Sequence, residues 1–479
     1  MSKEKKLVES ITSRTDDFAQ WYTDVVREAK LCDYSDIKGC LNYLPNGYAI
    51  WENIQNDLDK RFKKTGVKNV YLPVLIPESL LQKEKDHIEG FAPEVAWVTH
   101  GGLEKLEERF CIRPTSETLF CDYWQKIVKS YRDLPIVWNQ WNNVLRWEKT
   151  TRPFLRSREF LWQEGHTIHA TADEARERTK MMFDVYRDFV EEDLAIPLIC
   201  GRKTDSEKFA GAEDTYTIEA MMFDGKALQS GTSHYFGHSF PDAFNIKYLD
   251  SNNNLHSVYE TSWGMSTRII GAIIMVHGDD SGLILPPRIA PIQTKVIPIA
   301  QHKEGVLEKA NELVQKLNDF GIKVEIDDSE KSPGFKFAEQ EVLGIPTRIE
   351  IGPRDIENNQ VVVVRRDNGE KITVGFDEVD SKLEEILNSI QHDMYNKAKE
   401  FLNNHIYCAK TIDEMINISN EKIGFIKASW CGSPDCEDEI KDKTHGFGSR
   451  CIDEGDKASG KCVNCGKDAK HVVYWGKSY

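Results

Sequence analysis

The stretch "RWEKTTRPFLRSREFLWQEGH", residues 146–166, holds four arginines, three glutamates and two tryptophans in a chain whose formal net charge is -16. Arg146 and Glu148 are two apart, as are Arg156 and Arg158, so in an extended strand each pair would share a face. A guanidinium is a planar fork of five donors that matches phosphate and carboxylate oxygens. The stretch is therefore expected to form a strand-loop-strand hairpin gripping a polyphosphate or a carboxylate. The plainer reading is an exposed hairpin whose Arg and Glu side chains pair with one another.

Four further stretches could join it. "RPTSETLF" (113–120) sets Thr115, Ser116 and Glu117 at the start of an apolar helix, although Ser or Thr followed by Glu is also how ordinary helices begin. "GRKTDSEKFAGAEDTYTIEA" (201–220) puts basic residues beside Phe209. "QSGTSHY" (229–235) is small and rich in hydroxyls, so backbone there can approach a ligand closely. "TSWGMSTRIIGAIIMVHGDD" (261–280) takes a strand through Gly264 into an apolar helix opening at Arg268. An arginine at a helix N-terminus suits an anion, or is simply a first-turn charge.

These residues need elements to hold them. Helical periodicity runs over 17–30 and 48–66, with Gly66 as a stop, and an apolar strand "NVYLPVLIP" follows. From 134 to 301 the chain reads as successive strands around one strong helix at 172–194. Strands with segregated helices predict an α+β domain on a mostly antiparallel sheet. Near 285 the proline-rich "LPPRIAPIQ" introduces alternating strand and helix, a compact α/β module of about a hundred residues. A cysteine-rich tail follows from 396. The expected units are 1–285, 286–395 and 396–479.

Bulk properties narrow the class. A chain of 479 residues exceeds one hydrophobic core, and its longest apolar runs are too short to span a bilayer. The start carries charges without an apolar run, so no secretory signal is expected and a cytoplasmic protein follows. Acidity argues against a broad non-specific grip on nucleic acid but leaves room for a local basic patch. Eleven cysteines, in a reducing compartment, should be thiols or metal ligands. Cys431 and Cys436 in "CGSPDC", with Cys462 and Cys465 in "CVNC", have spacing suited to tetrahedral zinc on four thiolates. Cys451, His445 and His471 are rival ligands.

Together the motifs resemble the class II aminoacyl-tRNA synthetases, and among them the prolyl-tRNA synthetases of archaeal and eukaryotic type. "GVKNVYLPVLIP" (66–77) resembles motif 1, the stretch from "RWE" to "GHTIHA" (146–170) motif 2, and "SWGMSTRIIGAIIMVHGD" motif 3, near 262–280. The proline-type marks are "RPTSE", "FLWQEGHT", "GRKT.SEKFAGA" and "GTSH". The resemblance runs from about residue 15 to the last. It implies a class II catalytic domain, an anticodon-binding α/β domain and a small C-terminal zinc-binding α+β domain.

The implied reaction joins L-proline to ATP, giving prolyl-adenylate and pyrophosphate, then transfers the prolyl group to tRNA(Pro). Two anions must meet, so the task is charge neutralisation and geometry. Carried over by resemblance, Arg146 bridges the proline carboxylate and the α-phosphate, Arg156 holds the distal phosphates and Arg268 clamps the triphosphate. Glu148, Gln229, Thr232 and Ser266 orient the nucleotide, and Mg²⁺ completes the neutralisation. Thr115 and Glu117 accept from the secondary ammonium of proline. Trp162, Glu164, Phe209 and His234 build the slot, joined by His166 and Ser262. Transfer to the 3′-hydroxyl is expected to be substrate-assisted, since no protein base is nominated.

Resemblance also implies a homodimer through motif 1 and a structural role for the four tail cysteines. Misactivation of alanine and cysteine is expected. No editing insertion fits between Glu148 and Ser262, which are 114 residues apart. Between 286 and 390 fourteen Lys and Arg face twenty Asp and Glu, so tRNA reading must rest on a few contacts. Glu341, Arg348, Arg354 and Asp355 match the positions that read two guanines, against a plainer reading as strand-edge ion pairs. Two rivals stand beside this: a threonyl-type synthetase, whose catalytic zinc ligands are missing from the Cys-free hairpin, and a synthetase-like RNA-binding protein without catalysis.

Overall fold

Two amphipathic helices open the described part of the chain. The computed structural model describes residues 10–87 and 94–479. Helix α1 (Phe18–Glu28) starts at Asp17, whose carboxylate accepts from the Gln20 N–H at 3.0 Å. Helix α2 (Pro45–Lys64) has proline in its first turn, and the chain leaves it through Gly66 at φ +86°. Ile50, Ile54, Leu58 and Phe62 recur at fours along α2 and are buried in the main core.

The expected strand over 69–77 is broken. Only the short segments Lys68–Asn69 and Leu75–Pro77 are strand. Between them Pro73 has no N–H to give a ladder. The Leu72 N–H goes instead to Gln140 Oε1 at 3.0 Å, and fully buried Arg113 donates to the Leu72 carbonyl at 2.8 Å.

The first large unit is a sheet of β1 (Ile136–Leu145), β2 (Glu159–His169), β3 (Leu198–Arg202), β4 (Asp214–Met221), β5 (Ala227–Gly237) and β6 (Tyr259–Ser266). Its order is β3-β4-β5-β6-β2-β1, antiparallel throughout. Helix α3 (Glu117–Ile127) precedes it, α4 (Ala172–Glu192) links β2 to β3, and α5 (Arg268–His277) follows β6. Met182, Tyr186 and Phe189 of α4, and Ile269, Ile270 and Ile273 of α5, share one core with α1 and α2. This is the expected α+β class on a mostly antiparallel sheet.

The next unit has its own five-stranded sheet: β7 (Thr294–Pro298), β8 (Val324–Ile326), β9 (Thr347–Ile351), β10 (Gln360–Arg365) and β11 (Lys371–Gly375), ordered β8-β7-β9-β10-β11. The first three strands are parallel and the last two antiparallel. Helices α6 (Val306–Phe320) and α7 (Pro333–Leu343) supply the crossovers. Helix α8 (Val379–Asn404) buries Leu383, Ile390 and Met394 in this unit, whereas its Leu402 packs with Met221 and Phe425. The seam expected at 395 therefore lies inside a continuous helix.

The last unit contributes β12 (Ile406–Ala409), β13 (Phe425–Trp430), β14 (Gly448–Ile452) and β15 (His471–Gly476), with helices α9 (Ile412–Glu421) and α10 (Pro434–Lys443). These strands do not form a separate sheet. Through Ile452 opposite Arg202 they extend the six-stranded sheet, which with the Lys68–Asn69 pair beside β1 reaches eleven strands. Gly201 makes the approach possible, because a Cβ there would lie 2.0 Å from the Ile452 carbonyl oxygen.

Candidate active site

One face of the sheet is a grid set by register. His234 of β5 lies opposite Ser262 of β6, which lies opposite His166 of β2 and, beyond it, Trp138 of β1. Two residues along, the row is Thr232, Gly264, Glu164 and Gln140; the next pairs Ser266 with Trp162 and Trp162 with Asn142. Gln229 and Thr232 are three apart and would alternate to opposite faces. A bulge around Ser230 shifts the register, and both line the cleft. Between Glu164 and His166 a Cβ on Gly165 would meet the Trp263 ring at 2.1 Å, so glycine is required.

The connection between β1 and β2 is the expected strand-loop-strand hairpin, but its arginines fall in the loop rather than on the strands. The Arg146 N–H still reaches the Arg158 carbonyl at 2.7 Å, but the Glu148 N–H turns back on the Arg146 carbonyl. Arg152 bridges to Arg156 around Pro153 and Phe154, the latter at φ +59°. Arg146 with Glu148, and Arg156 with Arg158, therefore do not share strand faces, because proline and a left-handed residue force a loop.

The loop and helices close a cleft of about 210 Å³. Thr115, Glu117, Arg146, Trp162, Glu164, His166, Phe209, Gln229, Thr232, His234, Ser262, Ser266 and Arg268 all line it. Glu148 and Arg156 do not. They sit on the loop with the Arg156 Nη1 3.9 Å from a Glu148 carboxylate oxygen.

At one end, carboxylates are tightly held. Glu164, 2% exposed, accepts from the Ser116 N–H at 3.1 Å, Gln140 Nε2 at 2.8 Å and Asn142 Nδ2 at 2.7 Å, and pairs with His166 Nε2 at 3.0 Å. Burial opposes its charge, but the His166 hydrogen bond and charge, with these donors, hold its pKa below the usual range. Burial would likewise depress His166. The hydrogen bond to Glu164 and the charges of Glu117, Glu164 and Glu260 outweigh it and raise its pKa. The Thr115 hydroxyl donates to Glu117. Phe209 packs 4.8 Å from the His234 ring, and burial drops the His234 pKa to about 3, keeping it neutral.

At the other end, guanidiniums are left open. Arg146 spends its Nε on the Pro114 carbonyl at 3.0 Å and lies 5.5 Å from the Trp162 ring centre. Arg268, first residue of α5, spends its Nε on the Leu155 carbonyl at 3.0 Å. Among the described residues neither makes an ion pair. Burial lowers the pKa of both, and Arg268 is lowered further by the charges of Arg146 and Arg156. Three like charges brought within electrostatic reach of one another at the head of a helix make an anion receptor.

Sequence reasoning missed Ser116, Gln140 and Asn142 as carboxylate donors, and Phe160, Glu207 and Thr215 as lining. The signal for two of them was present: in "WNQWNN", residues 138, 140 and 142 alternate onto the face of Trp162, Glu164 and His166.

Away from the cleft, Arg348 pairs with Glu341 and Glu350, both at 3.0 Å. Asp355 accepts from the Gly352 N–H at 2.9 Å, while Arg354 beside it is exposed. In the tail, Cys431, Cys436, Cys462 and Cys465 bring their sulfurs within 4.8 Å of one another, with no disulfide. Burial would raise the Cys462 thiol, but N–H groups of Cys465, Asn464 and Cys431 bring it down to about 7. A sulfur-only cluster with a thiolate-favouring member fits a zinc ion. The terminal Tyr479 packs at the start of β5, its hydroxyl on Asp224 at 2.7 Å.

A polar cleft on an antiparallel sheet, with an arginine opening the helix that follows its last strand, defines a class II synthetase core. Residues 97–277 match the tRNA synthetase class II core domain (G, H, P, S and T), 293–386 the anticodon binding domain, and 412–479 the prolyl-tRNA synthetase C-terminal domain. Relatives named proline--tRNA ligase in Lachnoclostridium phytofermentans and Agathobacter rectalis are each 64% identical over 100% of both chains. A crystal structure of prolyl-tRNA synthetase from Cryptosporidium parvum, complexed with halofuginone and AMPPNP, is 40% identical, covers 99% of this chain and 100% of its own, and superposes with a TM-score of 0.94. The chain belongs to the prolyl-tRNA synthetase family and is an aminoacyl-tRNA ligase.

Proposed function

We propose that the cleft activates L-proline with ATP and that the product is passed to tRNA(Pro) by an enzyme of archaeal and eukaryotic type. The carrying observation is the polarity of the cleft: Thr115, Glu117 and Glu164 at one end and unpaired Arg146 and Arg268 at the other. The secondary ammonium of proline has two N–H donors, and Thr115 with Glu117 offers it acceptors. Trp162, Phe209 and His234 form an apolar slot for the ring, with His166 and Ser262 on its floor. Arg146, which feels the charges of Glu117 and Glu164 from its end of the cleft, bridges the proline carboxylate and the α-phosphate, so that attack on phosphorus proceeds between neutralised anions. Arg268 clamps the triphosphate, Arg156 closes on the distal phosphates from its loop, and Glu148, Gln229, Thr232 and Ser266 orient the nucleotide. Mg²⁺ would supply further neutralisation.

The slot cannot strongly reject smaller amino acids, since a missing methylene is worth only about 1 to 3 kcal/mol. Alanine and cysteine are therefore activated too. Between Glu148 and Ser262 the described chain is used up by β2 to β6 and α4, which supports the absence of an editing insertion. Glu341, Arg348, Arg354 and Asp355 contact the anticodon guanines, and Cys431, Cys436, Cys462 and Cys465 would hold a structural zinc. Tyr71, 70% exposed, and Leu75, 36% exposed, beside the Pro73 segment, support a homodimer through motif 1. No described helix is long and apolar enough to cross a membrane, which accords with a cytoplasmic enzyme.

ATP–pyrophosphate exchange with each of the twenty amino acids tests the reading. The expected order is proline first, with weaker exchange for alanine and cysteine. Threonine-dependent exchange, or none with any amino acid, overturns it.

A further inference from the structure

The residue after Cys436 is not part of the sulfur cluster. Glu437, 4% exposed, turns from α10 towards the catalytic region. Its Oε1 accepts from the Thr204 hydroxyl at 2.8 Å and from the Ser449 hydroxyl, which are themselves 3.1 Å apart. Its Oε2 is buried without a partner. A carboxylate in such a place costs desolvation that a surface position would not, so its retention across a unit boundary points to a mechanical role.

Thr204 is where that role is felt. Its carbonyl accepts from the Glu207 N–H at 3.1 Å and the Lys208 N–H at 3.0 Å, making it the pivot of the turn that leads to Phe209. The far end of the turn is tied separately. The Phe209 N–H donates to the Thr215 hydroxyl at 3.1 Å, and that hydroxyl lies 2.9 Å from His234 Nδ1. Glu207 and Phe209 line the cleft. The near end of the wall is thus held by Glu437 of the C-terminal unit beside Lys203, whose N–H donates to the Thr215 carbonyl at 2.7 Å, and the far end by β4 and β5.

We propose that Glu437 is a positioning residue for the amino-acid slot: through Thr204 it fixes the 204–209 turn, so the C-terminal unit sets proline affinity from outside the cleft. This rests on the reading of Phe209 as a wall of the proline slot. Displacing one wall weakens ground-state and transition-state binding of proline alike, which raises KM and leaves kcat in place.

The test uses the full chain in proline-dependent ATP–pyrophosphate exchange. Thr204→Val, nearly isosteric, and Glu437→Ala should each raise the KM for proline about 3- to 10-fold, the range expected when a hydrogen bond to a charged group is partly transmitted. KM for ATP and kcat should stay within about two-fold, and the double variant should do no more than the worse single one. Glu437→Gln keeps the acceptor and should restore near-wild-type KM. An unchanged proline KM in Thr204→Val overturns the proposal, as does an equal change in ATP KM and kcat. Phe209→Ala separates the two readings: if it raises the proline KM while Thr204→Val does not, the slot stands and the strut falls.

Discussion

The two ends of the cleft satisfy their charges in opposite ways. Glu164 is saturated by Ser116, Gln140, Asn142 and His166, whereas Arg146 and Arg268 each give one N–H to a backbone carbonyl and keep the rest of the fork open. A saturated buried charge is part of the fold, because removing it strands every donor around it. Half-buried guanidiniums without an ion-pair partner are a cost carried for a ligand still to come. The difference predicts that one end should fail first in catalysis and the other first in stability.

The largest effect should be catalytic. Arg268→Ala is expected to lower kcat/KM for proline-dependent exchange about 10²- to 10³-fold, as loss of a charge-stabilising donor does. Its melting temperature should stay level or rise, since a desolvated and mutually repelling cation is gone; a fall of several degrees would erase the contrast. Next, Glu164→Ala should cost about 3 kcal/mol in denaturant unfolding, since it leaves an imidazole and three donors buried. Loss of activity with full stability there would mean that the carboxylate serves only the ligand.

A smaller effect sharpens the same contrast through pH. Glu260, on β6 two residues before Ser262, is fully buried with one oxygen unpartnered, and burial lifts its pKa from 4.5 to about 8. The folded chain then keeps a proton that the unfolded chain releases above about pH 4.5. Its stabilising contribution is present below that value and is lost as pH rises through about 8. Glu260→Gln should therefore flatten the decline in melting temperature between about pH 4.5 and about 8 in calorimetry. Parallel declines in both proteins would mean that Glu260 is already ionised in the fold.

Much of this was legible in order of residue pattern. The strand-length run "FLWQEGHTIHA" is buried on both faces from Gln163 to His169, and the threefold-to-fourfold spacing of α2 and α4 reports burial on one face, so their elements follow directly. Arg146, Arg268, Glu117 and Glu164 stood out by type and neighbourhood and meet in one cleft. What stayed hidden depends on geometry the pattern does not encode. Pro73 divides an apolar run, Phe154 takes a left-handed turn that removes Arg156 and Glu148 from the lining, and the Ser230 bulge reunites Gln229 with Thr232. The partnership of Glu437 with Thr204 joins residues 233 apart, which no local spacing reveals.

The join at Ile452 and Arg202 has a consequence for any shortened form of this protein. A chain cut before residue 406 would lose the pairing of Arg202 with Ile452 at the end of β3, and Gly201 would keep that rim smooth enough for another molecule to dock. Such a fragment should associate edge to edge and precipitate, besides losing the Glu437 contact to Thr204. Solubility, rather than chemistry, would then be what the terminal seventy residues most visibly supply.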